Sequence, residues 1–214
     1  MRVALSLSPT FLIAAGLFCV SAVGQELPAQ SKGLPPRAGP SEYQGQAKVG
    51  GVTIGAEFMG HSVPTPDGIY ASDEYVVVEV GLFGATQASA RISLDDFSLR
   101  INGSKKPLPC QPYVLAFRSL KDPEWQPPKS EKPKTSFGTG GADGDSTPAP
   151  VHMPIELRRA MEQRVQRAAM LEGDRPLPQA GLLFFEYRGK TKNINSVELI
   201  YSGAAGNGTV TLHP

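Results

Sequence analysis

Four valines fall within the five positions 76–80, inside a strongly apolar stretch, residues 74–84, which reads "EYVVVEVGLFG". In a strand, successive side chains point to opposite faces of the sheet. One face then carries only valines and the other a mixed set, namely Val76, Val78 and Val80 against Tyr75, Val77 and Glu79. Such a pairing of faces is typical of a central strand in a β-sandwich. The stretch therefore predicts a core strand rather than a wall of a catalytic pocket.

The same alternation predicts strands on both sides of this one. Residues 46–60 are interpreted as one strand with a bulge at Gly50-Gly51, and residues 61–73 as a loop that reverses at Pro66-Asp67-Gly68. Asn102-Gly103 is expected to close a hairpin, because this pair is favoured in two-residue turns. The remaining predicted strands are 97–101, 113–120, 181–189, 195–203 and an edge strand at 208–214.

One segment has helical periodicity. Residues 154–172 place apolar side chains on one face, at Leu157, Met161, Val165 and Ala168. Pro154 suits the first helical position, and Gly173 suits a C-terminal cap. The whole pattern predicts a mainly β chain: an immunoglobulin-like β-sandwich of about seven strands with one inserted α-helix.

Three other segments do not belong to the predicted fold. Residues 1–24 combine Arg2, an uncharged apolar run and the small residues Ala22 and Gly24, which together predict a signal peptide cleaved after Gly24. Residues 25–43 are rich in proline and polar residues, and we expect a flexible segment there. Residues 121–153 have a similar composition and are interpreted as a mobile insertion within a domain spanning 44–214.

Charge gives no reason to expect nucleic acid or an anionic membrane as a partner. The chain has 21 Lys and Arg residues against 20 Asp and Glu residues, and Arg2 is the only charged residue of the predicted signal peptide. The mature chain would therefore be electrically neutral. No later apolar run is long enough to span a membrane, so the expected location is secreted or periplasmic.

A set of core positions resembles a known class of exported domain. The valine-rich strand is followed by Phe97, Leu99 and Gly103 in "FSLRING", and later by the pairs Phe185-Glu186 and Leu199…Tyr201. This pattern resembles the secreted immunoglobulin-like domains of bacterial antigens and lipoproteins of unknown function. The resemblance covers about half of the mature chain and implies a sandwich fold. The chain departs from it at "GLFGATQ", after the valine-rich strand, and over residues 121–173.

Cys110 is the single cysteine of the mature chain, because Cys19 lies in the predicted signal peptide. Three interpretations are open: a buried apolar residue, an intermolecular disulfide or a nucleophile. The thiol lies between two prolines in "LPCQPY" and far from any histidine. A reactive thiol usually needs a cationic neighbour or a helix N-terminus. Burial is therefore the favoured interpretation.

Met59, His61, His152 and Met153 are the candidate metal ligands. They form two Met/His pairs, "MGH" and "HM", and thioether and imidazole groups favour copper. If the fold brought the pairs together, the protein would be a periplasmic copper-binding carrier. The alternative is that the histidines lie at the surface and the methionines are partly buried.

Other candidate chemistry is weak. Asp95 and Asp96 are adjacent in sequence and would point to opposite faces of a strand, and Asp143 and Asp145 lack the further ligands of a calcium loop. The sequence contains no hydrolase or phosphate-binding motif, so we expect no enzyme and no cofactor. The predicted helix also carries four arginines outside its apolar stripe: Arg158, Arg159, Arg164 and Arg167. They form either a solvated face or a patch for an acidic partner or anionic lipid.

The expected function is that of an exported, non-catalytic binding or accessory module. Its partner would be another envelope or secreted protein. Recognition would use exposed strand edges, the 121–153 insertion and the basic face of the helix.

Overall fold

The computed structural model describes residues 33–126 and 152–214. The predicted signal peptide (1–24), the start of the predicted flexible segment (25–32) and most of the predicted insertion (127–151) lie outside the described residues. The predictions for those segments therefore stay predictions.

Within the described residues the chain forms thirteen β-strands and two α-helices. The strands are β1 (Gly45–Val49), β2 (Val52–Gly60), β3 (Ser62–Thr65), β4 (Gly68–Ser72), β5 (Tyr75–Phe83), β6 (Ser89–Ile92), β7 (Phe97–Ile101), β8 (Leu108–Gln111), β9 (Leu120–Lys121), β10 (Gly173–Pro176), β11 (Gln179–Glu186), β12 (Val197–Gly203) and β13 (Gly206–Leu212). The helices are α1 (Tyr113–Phe117) and α2 (Ile155–Ala168).

Eight strands form one antiparallel sheet in the order β1-β2-β5-β11-β8-β7-β12-β13. The sheet curls until β1 lies beside β13, so that its two edges nearly meet. Gly45 permits this approach, because a Cβ atom there would come 2.5 Å from the carbonyl oxygen of Thr211. The prediction of a mainly β chain is confirmed. The finer prediction of an immunoglobulin-like sandwich stays a prediction.

The valine-rich strand β5 lies inside this sheet, between β2 and β11, and separates two hydrophobic cores. The first core is enclosed by the curl of the sheet and receives Val76, Val78 and Val80. The second core lies on the other face and receives Tyr75 and Val77. The predicted alternation is therefore confirmed, and both faces of the strand are buried.

Helices and a small sheet cover the second core. The strands β3, β4 and β9 form a three-stranded sheet, and α1 and α2 pack beside it. Buried side chains from these elements include Val63, Tyr70, Phe117, Met161 and Val165. This outer layer lies where the sequence predicted a loop, a strand and a helix.

The segment around Gly50 differs from its prediction. Instead of a bulge in one strand, Gly50 and Gly51 form the turn between β1 and β2, which pair from Val49 opposite Val52. Gly50 has a φ of +57°, a conformation that glycine adopts at little cost. Residues 62–72 likewise form the β3–β4 hairpin rather than a loop, although the chain does reverse at 66–68 as predicted.

Residues 113–117 form a helix, so the strand predicted at 113–120 is wrong over most of its length. The segment "YVLAF" is rich in residues that favour strands, but such preferences yield to tertiary packing. Here a helical turn buries Ala116 and Phe117 in the second core. Only Leu120–Lys121 are extended, as β9 beside β4.

The predicted helix is confirmed but is shorter than the predicted range 154–172. Ala169 is already extended, and the Met170 N–H donates to the Leu182 carbonyl of β11 at 3.0 Å. Gly173 therefore begins β10 instead of capping the helix, and Pro154 lies at the N-cap instead of the first helical position. The pairing with β11 ends the helix early.

The turn predicted at Asn102-Gly103 is confirmed, but it does not close a two-residue hairpin, because β7 and β8 pair only from Leu99 opposite Leu108 outward. Both residues have positive φ, 50° and 65°, and the Ser104 N–H donates to the Ile101 carbonyl at 3.0 Å. The strands predicted near 97–101, 181–189, 195–203 and 208–214 are present as β7, β11, β12 and β13. Asn102 also accepts hydrogen bonds from the N–H groups of Asn195 and Ser196. The turn thereby holds the start of β12, a role that its sequence does not reveal.

Residues 33–43 were predicted to be flexible, but they lie against the sheet. Pro40–Glu42 form a 3-10 turn, and the Tyr43 side chain is buried. The Arg37 guanidinium forms ion pairs with Glu57 and Glu79. The described part of the predicted flexible segment thus makes specific contacts with the sheet, while the prediction for 25–43 as a whole stays a prediction.

Candidate functional site

A cavity of about 310 Å³ lies between α1, β9 and α2, beside the second core. This size is at the lower end of the range for small-ligand sites. Its lining is mostly apolar, and we call it the Phe117 pocket after one of its two aromatic residues. The lining residues are Phe117, Leu120, Lys121, Asp122, Trp125, Met153, Arg158 and Met161.

Three residues of the predicted apolar stripe hold helix α2 on the second core, beside this pocket. Met161, Val165 and Ala168 are buried, as expected for an amphipathic helix packed on a sheet. Leu157 belongs to the same stripe, but 51% of its surface is exposed. The first turn of the helix therefore extends beyond the second core; Arg158 from this turn and the buried Met161 from the next one both line the pocket.

The floor of the pocket comes from the unexpected helix. Phe117 is buried, and the Arg158 guanidinium carbon lies 5.5 Å from the centre of its ring. A guanidinium over an aromatic face is attracted by the ring quadrupole. This contact links α1 to α2 at the edge of the pocket.

The charged residues of the pocket differ in how they are paired. Lys121 forms an ion pair with Asp73, and Asp122 accepts a hydrogen bond from the Glu124 N–H at 2.9 Å. Arg158 has no carboxylate partner within the part of the chain that the structure describes. The pocket therefore combines a mostly apolar lining with one guanidinium that lies over an aromatic ring and has no carboxylate partner among the described residues.

Two of the other three helix arginines have acidic partners. Arg159 lies 3.3 Å from Glu156 on the same helix, and Arg164 lies 3.4 Å from Asp67. The Arg164 guanidinium also donates to the Tyr70 hydroxyl at 3.0 Å, which raises the pKa of Arg164. The predicted basic face is thus partly neutralised by β3–β4 residues and by its own helix.

The four candidate copper ligands have different surroundings. His61 lies between Tyr75 and Gly189, and its ring nitrogens Nδ1 and Nε2 are each 2.8 Å from one of their carbonyl oxygens. A ring nitrogen that carries a proton can donate to its carbonyl neighbour, so the donor depends on the tautomer of the ring. His152 is exposed, whereas Met59 and Met153 both border the second core.

Copper binding at these four residues stays a prediction. Among the described residues, no three His, Cys, Asp or Glu side chains come together as a metal site. Binding through His61 would require at least one of its nitrogens to exchange a carbonyl contact for the metal.

The prediction that Cys110 is buried is confirmed. The thiol is free and lies in the first core, and burial raises the pKa of Cys110 to about 12. The thiolate is the nucleophilic form, so this environment opposes reactivity.

Asp95 and Asp96 lie in a 3-10 turn (Leu94–Asp96) and not in a strand, where they were expected to point to opposite faces. Asp95 is exposed and Asp96 is half-buried at the turn before β7, where burial raises the pKa of Asp96. Asp143 and Asp145 lie outside the described residues.

Sequence reasoning identified the helix of this site but not the pocket. The sequence pattern predicts a strand for Phe117 and Leu120 and a mobile insertion for Trp125. The isolated Trp125 in a proline-rich stretch was the one available signal, because a large aromatic residue in such a segment often marks a contact.

The chain matches no protein-family model, no curated protein and no solved structure. Within residues 33–126 and 152–214, no helix has the length and apolar character needed to cross a membrane.

Proposed function

We propose that the protein is an exported, non-catalytic binding module with an immunoglobulin-like fold. Its partner would be another envelope or secreted protein. The observation that carries this proposal is the Phe117 pocket, an apolar cavity with a guanidinium at its edge. Such a combination of apolar lining and few polar groups is typical of binding sites.

Exposed apolar side chains on α1 and α2 also favour binding at the surface around this pocket. Five large apolar residues are exposed among those described, and four of them are on α1 and the first turn of α2: Val114, Leu115, Ile155 and Leu157. The two helices pack against each other, and exposed apolar surface commonly marks an interaction site. The two helices that form the pocket thus also carry most of this exposed apolar surface.

The non-catalytic part of the proposal is supported by the two residues best suited to nucleophilic or acid–base chemistry. The Cys110 thiol is buried and its pKa is raised, and both His61 nitrogens lie beside backbone carbonyls. Neither group is presented to a substrate by this arrangement.

A photo-crosslinking amino acid at position 157 tests the proposal directly. We expect it to capture a specific envelope or secreted protein in cells, because Leu157 lies one helical turn from the pocket residue Met161. The matched control carries the same crosslinker at Thr209, an exposed position on β13. Equal capture from both positions, or a product that survives Phe117→Ala in a protein that still folds, would contradict the proposal.

A deletion tests the predicted contribution of the 121–153 insertion. Residues 121–126 and 152–153 contribute to β9 and to the pocket, so the deletion should be limited to 127–151, replaced by a short Gly/Ser linker. We expect this variant to unfold at nearly the same temperature and to lose partner capture. Full capture by the folded variant would exclude the insertion from recognition.

A further inference from the structure

Three charged residues line the Phe117 pocket, and they differ in whether they have hydrogen-bond or ion-pair partners. Lys121 and Asp122 are engaged by Asp73 and by the Glu124 N–H, whereas the Arg158 guanidinium lies over the Phe117 ring and has no carboxylate partner among the described residues. Within the described part of the chain, the pocket therefore presents a positive group whose side-chain N–H donors have no acidic partner. Guanidinium groups bind carboxylates through two parallel N–H···O bonds, which gives them geometric selectivity for that anion.

The remaining lining determines what must accompany the anion. Five of the eight lining residues are apolar or aromatic: Phe117, Leu120, Trp125, Met153 and Met161. Two of them are methionines, whose flexible thioether side chains adapt to ligands of different shape. A ligand that fills this cavity gains by burying an apolar body of its own.

We propose that the Phe117 pocket binds an apolar group that carries a carboxylate. The apolar body lies against Phe117 and Trp125, and the carboxylate lies at the Arg158 guanidinium. This inference rests on the proposed function, because it takes the same pocket as the recognition site. The chemistry has two possible sources: a free aryl or alkyl acid, or an acidic residue beside a large apolar side chain of a partner protein.

Trp125 provides the measurement. It is the single tryptophan of the chain and lines the pocket, so its fluorescence reports occupancy without background from other tryptophans. The purified protein, residues 25–214, is titrated near neutral pH with three probes of similar shape: 3-phenylpropanoate, 3-phenylpropanamide and phenethylamine. We expect the acid to bind about twofold to fivefold more tightly than the amide, the range for exposed charge pairs, and the amine to bind most weakly.

Two variants on one helix assign the selectivity. Arg158→Gln should remove the preference for the acid while the amide binds as before. Arg159→Gln removes the same charge one position along, at a residue that pairs with Glu156 outside the pocket, and should leave the preference unchanged. Equal binding of acid and amide, tighter binding of the amine, no response to any probe, or equal effects of both variants would each overturn the inference.

Comparing ligand sources separates this inference from the proposed function. A capped peptide with Phe beside Asp is titrated in parallel with the free acid, and Arg158-dependent binding of either one supports the site and identifies its source. If a free acid binds in this way and the crosslinker at position 157 captures no protein, the protein-binding function fails and the carboxylate site stands. If capture succeeds and is unchanged by Arg158→Gln, the function stands and the inference fails.

Discussion

Glu57 on β2 and Glu79 on β5 lie directly opposite each other, and both carboxylates contact the guanidinium of Arg37. Its Nη1 is 2.5 Å from Glu57 and its Nη2 is 2.9 Å from Glu79. Like charges that face each other across a strand pair are destabilising. Arg37 therefore neutralises a repulsive pair in the sheet and fastens residues 33–43 to it.

Replacing Arg37 with Gln should lower the free energy of unfolding by about 2 kcal/mol, the range for charge-assisted hydrogen bonds at partly buried sites. The loss arises because two carboxylates would then face each other without a cation. Urea denaturation followed by circular dichroism measures the change. Added salt should reduce the difference from the unsubstituted protein, since it screens the repulsion.

Two further variants control this prediction. Arg37→Gln combined with Glu57→Gln should recover part of the lost stability, because only one carboxylate remains. Arg100→Gln removes another cross-strand ion pair, Arg100–Glu198, which has a single acid and is more exposed. It should cost less than about 1 kcal/mol. A double variant no more stable than the single one would show that repulsion is not the cause.

The central strands were readable from the sequence because their alternation is a direct consequence of strand geometry. Val76, Val78 and Phe97 had to be buried on one face, and Asn102-Gly103 needed positive φ at both positions. The helix at 113–117 was not readable, because the packing of Phe117 against Arg158 joins residues far apart in sequence. Local propensity cannot report such a contact.

In the candidate site, too, the sequence predicted local features but not the contacts between separate segments. The sequence placed Met161 and Arg158 on one helix, with the first in the apolar stripe and the second outside it. It did not show that Phe117 and Trp125 would meet them, since a pocket exists only once separate segments are packed together. The predicted stripe also treated Leu157 and Met161 as equivalent, although they differ greatly in burial.

This difference in burial predicts unequal effects of alanine substitution along α2. Met161→Ala should destabilise the protein by about 2–4 kcal/mol, the range for a buried side chain that leaves a cavity. Leu157→Ala should change stability by about 0.5 kcal/mol or less, because the side chain is already half exposed. Thermal or urea unfolding of both variants measures this, and similar losses would mean that Leu157 is covered in solution.

Cys110 predicts a specific dependence of stability on pH. Burial raises the pKa of its thiol from 9.0 to about 12, so the unfolded chain ionises first. This contribution to stability is fully present below pH 9 and is lost as pH rises from 9 toward 12. Burial also raises the pKa values of Tyr43, Tyr75 and Tyr113, which act in the same direction.

Comparison with Cys110→Ala isolates the thiol. The free energy of unfolding of this variant should fall less steeply above pH 9 than that of the unsubstituted protein. The native thiol should also react with a disulfide reagent at pH 8 only as fast as the protein unfolds. Rapid labelling of the native protein would show that Cys110 is accessible, contrary to its position in the first core.

His61 leads to a prediction about copper. Because Nδ1 and Nε2 lie 2.8 Å from the Tyr75 and Gly189 carbonyls, we expect no change in unfolding temperature with Cu(I), Cu(II), Zn²⁺ or Ca²⁺. A ligand at a hundred times its dissociation constant would add about 2.7 kcal/mol, a shift of a few degrees that is easily measured. His61→Ala should lower stability without metal, since it removes a group that joins two segments, whereas His152→Ala at an exposed position should not. A copper-specific increase lost in both variants would contradict this expectation and would favour the predicted copper site of Met59, His61, His152 and Met153.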